Sequence, residues 1–417
     1  MKNLTNFWAE VDEQGRLILP AEVVNRFGLE TGAQVFVEEE ANHLRFHRSL
    51  SHLARIYIEP TDRCNLNCAM CIRQSWQESM GMMAKDTFEH LLAGIRALPA
   101  PPSVCFSGFG EPLAHPDIVE MVSGVKSFSQ NVELITNGML LTQALSSQLL
   151  EAGLDMLWVS LDSANPDVFA DVRLGANLAD IFQNIRRFSQ ARNQLGRPEV
   201  KIGIAFVAMK RNIAELPQLL RMSGQLGASR FIVTNVLPYT PEYCNEVLYA
   251  RTLNDIAYYP SSYAPQLEMP RIDLNEATHN PLYQVMRTGC AVTTYGDKPG
   301  RGTNSCPFIA RGSTAIAWDG GVSPCLSLLH THTSYLNKRE RHSKRYVIGN
   351  VNAIDLGILW NSTQYMSFRE RVQTFDFSPC TVCGGCDMSL ANEEDCFGNT
   401  FPTCGGCLWA QGVIQCP

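Results

Sequence analysis

Short apolar segments alternate with helix-length segments over about half of the chain, from residue 53 to residue 240. The six predicted strands are 54–59, 103–107, 131–136, 155–161, 199–208 and 229–236, and the predicted helices between them are 84–98, 116–128, 142–152, 177–194 and 212–226. Buried strands that alternate with helices favour a parallel sheet with right-handed crossovers. The chain is therefore predicted to have an α/β fold.

Three cysteines follow the first predicted strand. Cys64, Cys68 and Cys71 form a C-x3-C-x2-C pattern within "YIEPTDRCNLNCAMCIRQSW" (57–76). An iron–sulfur cube is normally held by four thiolates, so three thiolates in one loop leave one iron open to another ligand. The alternatives are a zinc knuckle, although zinc sites usually pair two C-x2-C units, and core thiols that bind no metal. We expect an iron–sulfur site with one accessible iron at the end of this strand.

Length, charge and cysteine content restrict the class of protein. The chain has 417 residues, of which 45% are apolar and 18% charged, and this suggests two or three globular domains. Neither a signal-peptide core nor an apolar run of about 18 residues occurs, so we expect a cytoplasmic protein with no membrane partner. In the reducing cytoplasm, 15 cysteines indicate metal clusters rather than disulfides. A net charge of −7 argues against nucleic acid as a partner.

The cysteine triplet resembles the signature of the radical S-adenosylmethionine (SAM) enzymes. The resemblance implies a [4Fe-4S] cluster whose open iron is chelated by the amino and carboxylate groups of SAM. An electron from the cluster then breaks a carbon–sulfur bond and releases a 5'-deoxyadenosyl radical. The resemblance also implies a partial (β/α)6 TIM-like barrel with its site at the carboxyl ends of the strands. Each SAM cleaved needs one low-potential electron, so a ferredoxin- or flavodoxin-type donor is expected.

Residues at the ends of the later strands match further positions of this family. "FSGFGEP" resembles the GGE motif, whose backbone and acid hold the SAM amino group, and the other segments resemble positions near the ribose and adenine. The residues implied to contact SAM are Met70, Gly108, Gly110, Glu111, Thr136, Asn137, Ser160, Asp162, Met209 and Asn212. In the family an aromatic residue usually stands at the position of Met70. The alternatives are a common turn for G-x-G-E and helix caps for the polar residues.

Ten of the 15 cysteines lie after residue 289. They are Cys290, Cys306, Cys325, Cys380, Cys383, Cys386, Cys396, Cys404, Cys407 and Cys416. The segments "AIAWDGGVSPC" and "SPCTVCGGC" resemble the SPASM extension of radical SAM maturases, which implies two auxiliary [4Fe-4S] clusters. By position, a proximal cluster is assigned to Cys290, Cys306, Cys325 and Cys407, and a distal one to Cys380, Cys383, Cys404 and Cys416. Zinc ribbons are the alternative. His330 and His332 in "LLHTHTSYL" are candidate metal ligands or proton carriers, or ordinary surface or cap residues.

The first 50 residues read as a small β-rich module with a short helix after Pro20. The pattern "VDEQGRLILPAEVVNRFGLETGAQV" resembles the swapped-hairpin domain of the AbrB and MazE regulators, in which two copies interlock and bind DNA. Here the module carries five basic and eight acidic side chains, the wrong balance for binding phosphates. We therefore expect dimerisation, giving a homodimer, or docking of a substrate protein. An inert cap and DNA binding are the alternatives.

These observations divide the chain into an AbrB/MazE-like domain (1–50), a radical SAM barrel (51–240), a bridging segment (241–289) and a SPASM-like cluster domain (290–417). Together with the ending "NEEDCFGNTFPTCGGCLWAQGVIQCP", this order resembles the radical SAM maturases associated with tungsten-containing aldehyde ferredoxin oxidoreductases. The resemblance implies an anaerobic enzyme with a role in maturing the oxidoreductase or its tungstopterin system, and a small peptide is the other expected substrate. The alternatives are a peptide or sulfatase maturase that forms a thioether crosslink or formylglycine, and an iron–sulfur redox sensor that binds DNA.

Overall fold

The computed structural model describes residues 7–29, 31–40, 43–76, 78–129, 131–249, 304–381 and 386–417, and the backbone of 266–269 and 291–294. Its strands are Glu10–Val11 (β1), Leu17–Ile18 (β2), Val37–Glu40 (β3), His43–Phe46 (β4), Arg55–Ile58 (β5), Ser103–Phe106 (β6), Val132–Thr136 (β7), Met156–Ser160 (β8), Lys201–Ala208 (β9), Ala228–Asn235 (β10), Gln266–Met269 (β11), Ala291–Thr294 (β12), Ser313–Ile316 (β13), Gly321–Ser323 (β14), His332–Leu336 (β15), Arg339–Ser343 (β16) and Gly349–Asn350 (β17). Its α-helices are Ala21–Phe27 (α1), Lys85–Arg96 (α2), Ile118–Lys126 (α3), Gln143–Glu151 (α4), Pro166–Val172 (α5), Leu178–Gln194 (α6), Leu216–Gln225 (α7), Pro307–Ala310 (α8), Leu356–Trp360 (α9) and Thr363–Thr374 (α10).

The largest sheet in these ranges has nine strands. Strands β5 to β10 lie side by side in chain order, and each neighbouring pair is parallel. At least one of the helices α2 to α7 lies between each strand and the next. The predicted alternation is therefore confirmed, and each predicted strand begins and ends within two residues of the observed one.

Helix α6 shows how local sequence sets these elements. Its apolar positions recur every three or four residues and are buried on one face: Leu178, Ile181, Ile185 and Phe188. The side-chain oxygen of Asn177 accepts a hydrogen bond from the N–H of Ala179 (2.9 Å), which caps the first turn. None of the helices in the described ranges is both long and apolar enough to span a membrane.

Residues 413–417 cross the open side of the six-stranded sheet. At one end, Asn235 at the end of β10 donates from Nδ2 to the carbonyl of Val413 (2.9 Å). At the other end, the Tyr57 hydroxyl of β5 donates to the carbonyl of Pro417 (2.9 Å). One short segment thus joins the two outer strands of the six, as expected for a sheet that curves into a partial barrel.

The C-terminal part of the chain extends the same sheet. Strand β13 pairs in parallel with β5, and β14 and β17 continue the sheet with antiparallel pairing. Strands β15 and β16 form a separate hairpin that packs near Pro238, whose carbonyl accepts from the N–H of Tyr335 (2.7 Å). The cysteine-rich region is therefore fixed to the barrel through main-chain hydrogen bonds.

The N-terminal module contains two hairpins, β1–β2 and β3–β4, with α1 between them. This agrees with the expected β-rich composition and with a helix that begins after Pro20. The likeness to a swapped-hairpin domain and the four domain boundaries stay predictions. Within the bridging segment, the structure describes residues 241–249 and strand β11.

Candidate active site

The cysteine triplet lies in the loop that joins β5 to α2. Cys68 is buried, Cys64 and Cys71 are partly buried, and all three are free thiols. The N–H of Asn67 donates to the carbonyl of Leu174 (3.2 Å), which holds the loop against the turn after α5. Burial raises the pKa of the Cys64 and Cys68 thiols, and the neighbouring thiols add to the shift. The three groups are close enough to interact, and bound metal would stabilise their thiolate forms.

Two guanidinium groups accompany these thiols. Arg173 is buried and its Nε lies 2.7 Å from Asp162 Oδ2. Burial lowers the pKa of Arg173, but Asp162 and Cys68 outweigh burial and raise it, so the side chain stays charged. The pKa of Arg73 is also raised, because the thiols, Cys71 above all, outweigh burial. These cations would offset the negative charge of a thiolate-bound cluster.

The G-x-G-E loop packs directly on the start of the cysteine loop. The N–H of Glu111 donates to the carbonyl of Arg63 (2.9 Å). A side chain at Gly110 would overlap the carbonyl oxygen of Thr61, and Gly108 has φ +111° beside Glu59. Both glycines are thus required by close approach, and Gly108 also by its left-handed backbone.

The carboxylate of Glu111 connects the carboxyl ends of β6 and β7. Its Oε1 accepts from the Thr136 hydroxyl (2.7 Å) and from the N–H of Leu113 (3.0 Å), and its Oε2 accepts from the N–H of Asn137 (2.7 Å). Asn137 Nδ2 lies 3.7 Å from Cys64 Sγ. Burial raises the pKa of Glu111. The structure therefore brings these predicted residues together, with the acid bound to protein groups.

Hydrogen bonds of Asp162 and Asn212 connect the carboxyl ends of β8 and β9. Asp162 Oδ1 accepts from the N–H of Val207, and its carbonyl accepts from Asn212 Nδ2, both at 2.8 Å. Asn212 Oδ1 accepts from the N–H of Met209 (2.8 Å). Ser160 lies on the same rim and is partly exposed. The geometry places all four predicted residues at the carboxyl ends of the strands, and their contacts with SAM stay predictions.

Met70 and Met209 meet in one apolar cluster. Met70 packs against the buried side chains of Val172, Met209, Val236 and Tyr243. The two methionines predicted to lie near adenine therefore belong to the same apolar cluster, and thioethers can provide apolar contact there.

Helix capping describes Glu111, whose side chain caps the short 3-10 helix Pro112–Ala114, but not Thr136, Asn137, Ser160 or Asp162. The side chains that cap α4, α5 and α6 are those of Thr142, Asn165 and Asn177. Thr136, Asn137, Ser160 and Asp162 precede these caps at the strand ends.

Four C-terminal cysteines line a single cavity. They are Cys306 at the start of α8, Cys325 just after β14, and Cys404 and Cys407 in one turn. Burial raises the pKa of all four thiols, and in Cys306, Cys325 and Cys404 the other thiols raise it further. Four mutually interacting thiols match the donor set of an iron–sulfur cube.

This grouping differs from the assignment by position. Cys404 joins Cys306, Cys325 and Cys407, whereas its place along the chain had suggested the distal set. Cys290 and Cys383 lie outside the described residues. Within the described ranges, no three His, Cys, Asp or Glu side chains converge as ligands of one metal ion do. The thiolates of a four-iron cube each bind a different iron, so they need not converge on one point.

The other C-terminal cysteines within the described ranges make separate contacts. Cys380 interacts with Cys396, and burial raises its pKa. Cys386 is partly buried and its carbonyl accepts from Ser389 Oγ (2.6 Å). Cys416 Sγ lies 3.2 Å from Trp409 Nε1.

Sequence reasoning missed three cations around these centres, of which Arg173 is buried and Arg73 and Arg341 are partly buried. Arg341 donates from Nη1 to the carbonyl of Gly406 (2.8 Å) and interacts with both Cys380 and Cys407. Arg73 follows Cys71 by two residues, so its proximity to the triplet could have been predicted from the sequence. Arg173 and Arg341 reach their cysteines only through the fold.

Comparison with known proteins agrees with this geometry. The profile of the Radical SAM superfamily matches residues 58–210, and that of the SPASM iron–sulfur cluster-binding domain matches residues 306–387. The chain is 32% identical to the "tungsten-containing aldehyde ferredoxin oxidoreductase cofactor-modifying protein" of Pyrococcus furiosus, over 87% of this chain and 96% of that one. It is 29% identical to a "probable GTP 3',8-cyclase" of Methanococcus maripaludis over 44% of this chain and 58% of that one. The structure of Streptococcus suis SuiB bound to precursor peptide SuiA is 16% identical, with a TM-score of 0.49, over 81% of this chain and 72% of that one.

The family fixes the cofactors that the donor sets can hold. Radical SAM enzymes carry a [4Fe-4S] cluster and SAM, and a SPASM domain carries auxiliary clusters. The three free thiols of the triplet with their two nearby guanidinium groups, and the four thiols around one cavity, fit these groups. The chain belongs to the radical SAM enzymes with a SPASM domain, in the same family as the Pyrococcus cofactor-modifying protein.

Proposed function

We propose that this enzyme matures a tungsten-containing aldehyde ferredoxin oxidoreductase, by radical chemistry on that protein or on its cofactor. The observation that carries the proposal is the meeting of the triplet with the G-x-G-E loop and Arg173 at the ends of parallel strands. The name of the Pyrococcus relative, which is similar to this chain along nearly its whole length, supports the choice of substrate.

Each residue of the site has a distinct task in this proposal. Cys64, Cys68 and Cys71 hold the cluster, and the backbone of the loop that ends at Glu111 receives the SAM amino group. Arg173 balances the thiolates and the carboxylate of bound SAM. When bound, the cluster supplies one electron to SAM and so generates the 5'-deoxyadenosyl radical. A ferredoxin- or flavodoxin-type protein would supply that electron.

The auxiliary centres are assigned from the geometry of the C-terminal thiols. We propose that Cys306, Cys325, Cys404 and Cys407 hold one [4Fe-4S] cluster, since they line one cavity. Cys380 and Cys396 contribute to a second cluster, because they interact with each other and Cys380 also interacts with Arg341. Removing Cys404 should reduce bound iron by about four atoms per chain. Unchanged iron content in Cys404→Ala would reject the first assignment.

The deciding experiment is anaerobic co-expression with a tungsten aldehyde oxidoreductase and its small gene neighbours. The intact enzyme is compared with Cys68→Ala, and Cys244→Ala serves as the matched control because Cys244 lies apart from both thiol groups. We expect 5'-deoxyadenosine and an active oxidoreductase beside the intact and Cys244→Ala enzymes only. A modified neighbour peptide with no effect on the oxidoreductase would favour a peptide maturase. Absence of 5'-deoxyadenosine from the intact enzyme would favour a sensor.

The N-terminal module is proposed to join two copies of the chain. Its β1–β2 hairpin exposes Val11 (67%), Leu17 (46%) and Ile18 (50%) next to the almost fully exposed Trp8. Each strand of this hairpin has only two residues, and their apolar side chains lack the burial that would stabilise such short strands. We expect the full-length Val11→Glu/Ile18→Glu variant to sediment as a monomer and the unmodified chain as a dimer. A monomer in both cases would reject the proposal.

A further inference from the structure

One imidazole of the C-terminal region reaches into the barrel. His330 is 1% exposed and lies just before β15. Its Nε2 is 2.8 Å from Glu59 Oε2, and its Nδ1 is 2.7 Å from Glu78 Oε2. Glu59 directly follows β5, and Glu78 lies in the loop after the cysteine triplet. The two ring nitrogens therefore join the C-terminal region to both ends of the cysteine loop.

The same imidazole is connected to the G-x-G-E loop. Glu59 Oε1 accepts from the N–H of Phe109 (2.9 Å), and Gly108 packs against the Glu59 side chain. The rings of Trp76 and Phe109 have their centroids 4.3 and 5.9 Å from that of His330. Displacing His330 would thus free the acid that positions the backbone between Gly108 and Glu111.

The charges around His330 favour the imidazolium form. Burial lowers the pKa of His330, but the hydrogen bonds with Glu59 and Glu78 outweigh it and raise the pKa to about 9. Burial raises the pKa of Glu78, but His330 and the hydrogen bond from the N–H of Thr331 outweigh burial and lower it to about 2.

Two further titratable groups face this cluster. Asp62 interacts with both Glu59 and His330, and its pKa is raised by burial. His332 has its pKa lowered to about 4 by burial, so it is neutral at neutral pH. One cation is therefore held between two carboxylates, with Asp62 as a third acid nearby.

We propose that His330 is a positioning residue for SAM binding: through its contacts with Glu59 and Glu78 it fixes the Gly108–Glu111 loop and so couples docking of the C-terminal region to the SAM site. Both ring nitrogens are engaged, so His330 acts through Glu59 rather than on a substrate. The inference rests on the proposed assignment of this loop to SAM.

The test is the dissociation constant of SAM in the holoenzyme, read from the electron paramagnetic resonance change of the reduced cluster. His330→Gln should weaken SAM binding about tenfold at neutral pH, a typical effect of losing a residue behind a ligand contact. In the unmodified enzyme, SAM affinity should fall as the pH rises through about 9, where the imidazolium loses its proton. The variant should lack this decline. His342→Gln, on the exposed face of the β15–β16 hairpin, is the control and should change neither quantity.

Two companion variants separate the possible failures. Glu111→Gln tests the loop assignment: if neither Glu111→Gln nor His330→Gln weakens SAM binding, that assignment fails. If Glu111→Gln weakens binding and His330→Gln does not, His330 has no positioning role. The Glu59→Gln/His330→Gln double variant should bind SAM no more weakly than whichever of its two single variants binds SAM less tightly, because both changes release the same loop. If His330→Gln does not fold, a flat pH profile of the unmodified enzyme through about 9 refutes the inference.

Discussion

Replacing Arg173 by methionine should strongly destabilise the barrel, because the buried carboxyl group of Asp162 would lose its ion-pair partner. The Asp162 side chain is fully buried, Arg173 is 9% exposed, and the two are 2.7 Å apart. Removing one member of such a pair costs about 3–5 kcal/mol. Asp162 keeps the N–H of Val207 at 2.8 Å, so we expect about 3 kcal/mol, the low end. For a domain of about 200 residues this lowers Tm by about 6–12 °C.

The measurement is thermal unfolding under anaerobic conditions at matched iron content. Lys126→Met is the control, since Lys126 and Asp155 are also 2.7 Å apart but remain 28% and 24% exposed. That change should cost about 1 kcal/mol or less. The Arg173→Met/Asp162→Asn double variant should recover part of the loss, because it removes the unpaired charge. A Tm decrease for Arg173→Met no larger than that for Lys126→Met would refute the reasoning.

Three further predictions concern single contacts. Gly110→Ala should abolish SAM binding while bound iron is retained, because the new methyl group overlaps the carbonyl of Thr61; unchanged SAM affinity would contradict this. Asn177→Ala should cost about 1 kcal/mol in unfolding free energy through loss of the α6 cap, whereas Asn361→Ala, on an exposed turn, should change little. Protonated His330 stabilises the fold through its two carboxylate partners. Because folding raises its pKa, this stabilisation is complete below about pH 6.5 and is lost as the pH rises through about 9. The Tm difference between the unmodified enzyme and His330→Gln should therefore shrink toward that pH, and a constant difference would count against it.

The strands and the cysteine loop could be predicted from sequence because their signals are local. Each apolar segment is followed by its own turn and helix, and Cys64, Cys68 and Cys71 lie within eight positions of one another. The assignment of Cys404 could not be predicted in the same way, since C-x2-C spacing is compatible with several ways of sharing ten thiols between two clusters. Only the folded chain shows which thiols line the same cavity.

The buried ion pairs could not be predicted from local sequence patterns, for the same reason. His330 and Glu59 are 271 positions apart, and each is unremarkable in its own segment. The acid at Glu111 was predicted from its motif, but its bonds to Thr136 and Asn137 depend on the order of neighbouring strands. Residue type thus predicted which groups are present at the site, and tertiary contacts determine what each one holds.

The pairing of β13 with β5 limits how the two cysteine centres can move. Domains within one chain usually meet through modest interfaces and can shift relative to each other. Here the N–H of Glu59 donates to the carbonyl of Ile316 (2.9 Å), and Trp318 Nε1 donates to Asp62 Oδ2 (3.1 Å), on the two sides of this boundary. Cys325 therefore follows a strand of the same sheet as β5, the strand that leads into the triplet. Because main-chain register fixes this arrangement, we expect the sheet, rather than closure of one domain on another, to set the separation of the two cysteine centres.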